Sequence, residues 1–160
     1  MATKNKIHDK YYRNTMSDLR IARDFFDVHL PEKIKSQVDL NTLKIEKTDF
    51  ISPKNFVTDE QEERRVDMLY SVDIAGKEGY FYNLCEQQST ARRDMPLRLM
   101  RYMLEIIAYD VKKQKDKGVK EADIVYPIII PMVMYNGRVP YNCSTSFFDM
   151  YQSEDLSLSS

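Results

Sequence analysis

The stretch "VDMLYSVDIAGKEGYFYNLCEQQ", residues 66–88, decides the fold. Two runs rich in β-branched and aromatic residues, "VDMLYSVDI" and "GYFYNLCEQQ", flank the short glycine-bearing linker "AGKE". That pattern predicts a β-hairpin. The second run ends oddly. Tyr80, Phe81, Tyr82, Leu84 and Cys85 belong in a buried strand, yet Glu86, Gln87 and Gln88 follow with no turn residue between. Strand side chains alternate faces, so Glu86 and Gln88 point the same way, together with Tyr82 and Leu84. With a turn near Gly76–Glu78, Asp67 and Glu86 lie about ten residues from its centre, and antiparallel pairing brings them together.

Helical patterns surround this hairpin. Residues 7–37 read as helical, with Leu19, Ala22, Phe25, Phe26 and Leu30 at the spacing of one face. Ser17 with Asp18 and Arg20 supplies an N-cap, and Pro31 stops the run or opens a new one. "NTLKIEKTDFIS" (41–52) alternates weakly as a first strand, and the polar "PKNFVTDEQEERR" (53–65) reads as loop. From Asp94 to about Lys117 a helix is expected, with Met100, Met103, Ile107 and Val111 as its apolar stripe and Pro96 tolerated in the first turn. After the linker "DKGVKEAD" (116–123), the run "IVYPIIIPMVMYNG" (124–137) reads as a central strand covered on both faces, its prolines marking a bulge or strand end. The expected class is α/β, a mixed central sheet flanked by helices, in one domain over residues 1–150 with a frayed tail at 151–160.

Composition narrows the function classes. The chain has 160 residues, 42% hydrophobic and 31% charged, with a net charge of −1, so any nucleic-acid surface must be local. Cys85 and Cys143 give neither a disulfide framework nor a metal spacing, and His8 and His29 are too few for a zinc cluster with them. No glycine loop suited to cradling nucleotide phosphates occurs, so no nucleotide cofactor is expected. No apolar run follows "MATKNK", and "YPIIIPMVMY" is too short for a bilayer; a cytoplasmic protein without membrane partners is expected.

Two carboxylates at one sheet end form an oxygen-rich site suited to Mg²⁺ or Mn²⁺, which activates water and neutralises charge growing on a phosphate. The competing reading is a solvated strand end. Residues 92–120 hold nine basic residues (Arg92, Arg93, Arg98, Arg101, Lys112, Lys113, Lys115, Lys117, Lys120) against four acids, a local balance of +5. Arg92 and Arg93 could meet a phosphate backbone approaching the metal. Arg98 and Arg101 are placed on the helix face away from the stripe, as DNA contacts or as solvation of the helix. For Lys112–Lys120 solvation is the favoured reading.

These motifs resemble the PD-(D/E)XK nuclease superfamily and, within it, the Rpn recombination-promoting nuclease and transposase-related family (YhgA-like). The likeness extends to "HDKYYRNTMSDLRIARDFFDVHLP" (8–31), "MPLRLMRYM" (95–103), "YPIIIPMVMYNG" (126–137) and "PYNCSTSFFD" (140–149), in the family's order. It implies a restriction-endonuclease-like core and a DNA endonuclease that uses Mg²⁺, Mn²⁺ or Ca²⁺, with DNA as partner; double-strand cutting would favour a homodimer on geometric grounds. Asp67 and Glu86 would hold the metal, the backbone carbonyl of Gln87 would complete its shell, and Gln88 would stand where the superfamily usually has lysine. Asp9, beside His8, would add an outer carboxylate or serve only helix capping and solubility. Two positions depart from the pattern: Gln87 replaces a common histidine, and Tyr135-Asn136-Gly137 replaces Tyr-His-Gly. The family's helical C-terminal region is expected to be absent here, so the other reading is a non-catalytic DNA-binding or dimerisation module of a mobile-element protein. A purely structural fragment is a third.

Overall fold

The computed structural model describes residues 2–51, 66–86, 93–143 and 145, with the backbone alone at 2–7 and 86. Three helices come first: α1 (Ala2–Met16), α2 (Leu19–His29) and the single turn α3 (Glu32–Lys35). Strands β1 (Val38–Glu46), β2 (Val66–Ile74) and β3 (Lys77–Glu86) follow, then α4 (Met95–Asp116), a 3₁₀ turn (Glu121–Asp123) and β4 (Ile129–Tyr135). They form one mixed sheet in the order β1-β2-β3-β4, antiparallel except for the β3–β4 pair. The expected mixed α/β sheet flanked by helices is what the chain builds. No helix among the described residues is long and apolar enough to cross a membrane. The loop expected at 53–65 and the tail at 151–160 lie outside the described residues.

The hairpin turns at Ala75–Gly76, both at positive φ (54° and 81°), as a two-residue type I′ turn requires. Asp73 Oδ1 accepts from the Gly76 N–H at 2.8 Å. This turn is earlier than the expected centre, and it pairs Asp67 with Leu84 rather than with Glu86. Gly79 has a different reason to lack a side chain. A Cβ there would fall 2.6 Å from Ile74 Cδ1 and 2.8 Å from the Ile128 carbonyl oxygen, where β4 enters the sheet.

Alternation sends Met68, Tyr70, Val72, Ile74 and Phe81 to one side of the sheet, against Ala22, Phe26 and Leu30 of the α2 region and Tyr12 and Met16 of α1. Phe26 meets Tyr70 edge-on at 5.2 Å and Phe81 at 4.6 Å. Asp18 caps α2 through the Arg20 N–H at 2.9 Å, as expected, and Pro31 sits at the N-cap of α3. The buried Tyr70 hydroxyl donates to the Met16 carbonyl at 2.6 Å, satisfying an oxygen that the end of α1 leaves unpaired.

Leu69, Tyr80, Tyr82 and Leu84 face the other way, onto α4. The helix exists where expected, but its buried stripe is Met95, Arg98, Tyr102, Ile106 and Asp110, one position off the Met100–Val111 series, and Met100 is exposed. Asp110 and Lys113 tie this helix to the sheet. Asp110 accepts from the Tyr80 hydroxyl and from Gln114 Nε2, each at 2.6 Å. Lys113 pairs with Glu78 at 2.8 Å and holds that carboxyl below its usual range. The apolar run at 124–137 also differs from expectation. Among the described residues β4 is an edge, half-buried throughout, not a central strand. The Tyr80 N–H donates to the Ile128 carbonyl, so by parallel alternation the odd positions of β4 turn their backbone outward. Pro131, lacking an N–H, sits at such an outward position, which an edge tolerates.

Ala75 carries a positive φ at a site that asparagine tolerates better. Ala75→Asn is expected to raise unfolding free energy by about 0.5–1 kcal/mol, measured by urea denaturation; no gain, or a loss, would contradict the turn assignment.

Candidate metal and nucleic-acid site

Asp67 is the second residue of β2 and only 2% exposed. Register and alternation place positions 67, 84 and 86 on the α4 side of the sheet, with 86 diagonal to 67. Position 86 closes β3, opposite Tyr135 of β4. The expectation that positions 67 and 86 share a face therefore agrees with the backbone, as a diagonal rather than a direct pair. The side chain of Glu86 and residues Gln87, Gln88 and Arg92 lie outside the described set.

A buried carboxylate needs compensation. The Tyr82 hydroxyl donates to Asp67 Oδ2 at 2.8 Å. Arg13 Nη2, on the last turn of α1, stands 4.0 Å from Oδ1. The Tyr82 ring lies 5.6 Å from that of Tyr102, whose hydroxyl accepts from Arg98 Nη2 at 3.4 Å. A line of side chains thus runs from Asp67 beneath α4 to Arg98. Beside it, burial first, then Cys85, Tyr70 and Asp67, push the Tyr12 phenol well above its usual range, so it stays a neutral hydroxyl. That hydroxyl is buried and has no hydrogen-bond partner among the described residues. Asp67 also borders an open recess of about 420 Å³ with Arg13, Ser17 and residues 46–49.

The other expected site residues separate. Asp9 lies on α1, half-buried, one turn before Arg13, and His8 is exposed. Arg93 is exposed before α4. Arg98 is not on the outer face: it is 7% exposed and packs its guanidinium 5.9 Å from the Tyr102 ring centre, because the inner stripe of α4 runs through positions 98, 102 and 106. Arg101 is half-buried, 5.8 Å from the same ring. Lys112 and Lys115 pair with Asp116 and Glu121 at the surface, whereas Lys113, expected to solvate the helix, is half-buried and ties α4 to Glu78 of β3. Arg13 was not singled out in the sequence, although it follows Asp9 by one helical turn, and Tyr82 was read only as a strand residue sharing the site's face.

The donor set fits a hard cation in kind. Asp67 borders an open recess, and position 86 places a second carboxylate residue on the same face. Among the described residues no group of three His, Cys, Asp or Glu forms a metal cluster.

Residues 6–159 match the family described as "Putative transposase, YhgA-like". The chain belongs to this family. It is 31% identical over 150 residues to the recombination-promoting nuclease RpnC of Escherichia coli K12, covering 93% of this chain and 45% of that protein. It is 31% identical over 150 residues to RpnA of the same strain, covering 93% and 47%. Over 158 residues it is also 31% identical to that strain's RpnE, named an inactive recombination-promoting nuclease-like protein, covering 97% and 48%. The chain spans about half the length of these relatives. No solved structure matches it.

Tyr82→Phe removes the donor to Asp67 and leaves a buried acceptor short, which should cost about 1–3 kcal/mol of stability by denaturant unfolding; a neutral result would show that the hydroxyl does not hold Asp67. In the same assay Arg98→Ala should destabilise by about 2 kcal/mol or more and Arg93→Ala by less than about 0.5 kcal/mol. Equal effects would contradict the buried placement of Arg98.

Proposed function

We propose that this chain is a divalent-metal-dependent endonuclease domain that hydrolyses DNA phosphodiesters in recombination-related processes. The observation that carries the reading is the buried Asp67 carboxylate, held by Tyr82 at a recess and on the same sheet face as position 86. The nuclease names of the similar RpnC and RpnA support it.

Asp67 and Glu86 would hold Mg²⁺ or Mn²⁺, with the Gln87 carbonyl beside them. Diagonal sheet neighbours stand roughly 7–8 Å apart at their backbones, a span that two carboxylate side chains can close on one ion. When bound, the ion supplies charge neutralisation and water activation. The chain's own groups do the rest. Tyr82 fixes the Asp67 carboxylate and so limits the directions its other oxygen can take. Gln88 orients the attacking water or a phosphate oxygen through its amide. Arg92 and Arg93 contact the DNA backbone without reading sequence. Arg98, buried against Tyr102, steadies the Asp67–Tyr82 line.

The test is cleavage of plasmid DNA in Mg²⁺ or Mn²⁺. Asp67→Ala and Glu86→Ala should each lower the rate by at least about 100-fold, while Arg93→Ala should weaken DNA binding and its salt dependence with a smaller effect on the rate at saturation. Variants that cut like the parent would refute the assignment. The second reading, a non-catalytic DNA-binding module, draws on the equal likeness to RpnE, named inactive. It predicts DNA binding that is indifferent to metal and no cleavage by the parent.

A further inference from the structure

We infer that Arg13 is a built-in counter-ion that occupies the charge position of the metal at Asp67 and must be displaced when a divalent cation binds. The inference rests on the metal-site reading above and extends it to a residue that reading does not use.

Asp67 is 2% exposed, and its two oxygens are treated differently. Oδ2 takes the Tyr82 hydroxyl at 2.8 Å. Oδ1 faces Arg13 Nη2 at 4.0 Å, beyond hydrogen-bond reach, so the guanidinium supplies charge without a locked geometry. The Arg13 side chain is 47% exposed and borders the open recess beside Asp67. It therefore has solvent to withdraw into. A divalent ion on Oδ1 would bring two positive charges within a few ångströms of the guanidinium, and like charges at that range disfavour joint occupancy. Metal-free, the arginine lessens the cost of a buried carboxylate; with metal, it has to leave. The chain's affinity for metal is then lowered by the work of expelling it.

Calorimetric titration of Mn²⁺ into the parent, Arg13→Gln, Arg13→Lys and Asp67→Asn tests this without reference to cleavage. Asp67→Asn identifies the heat that belongs to the site. Arg13→Gln should bind Mn²⁺ about three- to tenfold more tightly than the parent, and Arg13→Lys, which keeps the charge, should bind like the parent. Thermal unfolding should show the matching pattern: metal-free Arg13→Gln melts lower than the parent, and its melting point rises more on adding Mn²⁺. Asp67-dependent binding that is equal or weaker in Arg13→Gln overturns the role of Arg13 alone. No Asp67-dependent binding in either the parent or Arg13→Gln overturns the metal-site reading along with it.

Discussion

The two-residue turn at Ala75–Gly76 fixes the register on which everything else depends. It locks nine consecutive cross-strand pairs between β2 and β3, from Val66–Cys85 to Ile74–Lys77. Strand side chains have a period of two, so a slip of one residue would carry Asp67 to the opposite face and Tyr70 out of the Phe26 cluster. The hydrophobic pattern enforces the same register. Met68, Tyr70 and Val72 must meet α1 and α2, while Leu69, Tyr80 and Tyr82 must meet α4. The position of a buried carboxylate at the sheet end is thus a by-product of two apolar faces that cannot be exchanged.

Burying Asp67 requires the surrounding polar order. Tyr82 binds one oxygen, Tyr102 packs against Tyr82, and Arg98 packs against Tyr102. At the other end of α4, Asp110 and Lys113 tie the helix to Tyr80 and Glu78. The sheet face under α4 is therefore anchored by polar side chains at both ends, with Leu69, Leu84 and Ile106 between them. Such a mount restricts the directions in which Asp67 can move.

The hairpin, the α2 face and the cap at Asp18 were legible because each rests on a local signal: β-branched and aromatic alternation, three-and-four spacing, and a side chain able to cap. The α4 stripe was misplaced for a physical reason. Hydropathy favoured Met100, Met103 and Ile107, but the buried row includes Arg98 and Asp110, whose hydrogen-bond partners make burial tolerable. The partner of Asp110, Tyr80, comes from β3, far away in sequence, and that of Arg98, Tyr102, lies one turn along α4. Pairing order was equally hidden in the run at 124–137, since an apolar strand looks alike at the centre or the edge of a sheet until its neighbours are known. The diagonal relation of positions 67 and 86 depended on a turn centred slightly earlier than "AGKE" alone suggests. Arg13 carries no signal of its own beyond its distance of one turn from Asp9.

Membership of the YhgA-like family and likeness to nucleases named active and inactive alike leave the chemistry of this chain to its own residues. The central claim is that Asp67 and Glu86 share one divalent ion. An anomalous difference map from crystals soaked in Mn²⁺ tests it directly. The account predicts a peak within about 2.5 Å of an oxygen from each carboxylate, with the Tyr82–Asp67 hydrogen bond retained. A map with no peak between the two residues at saturating Mn²⁺, or an ion bound only elsewhere, would contradict it.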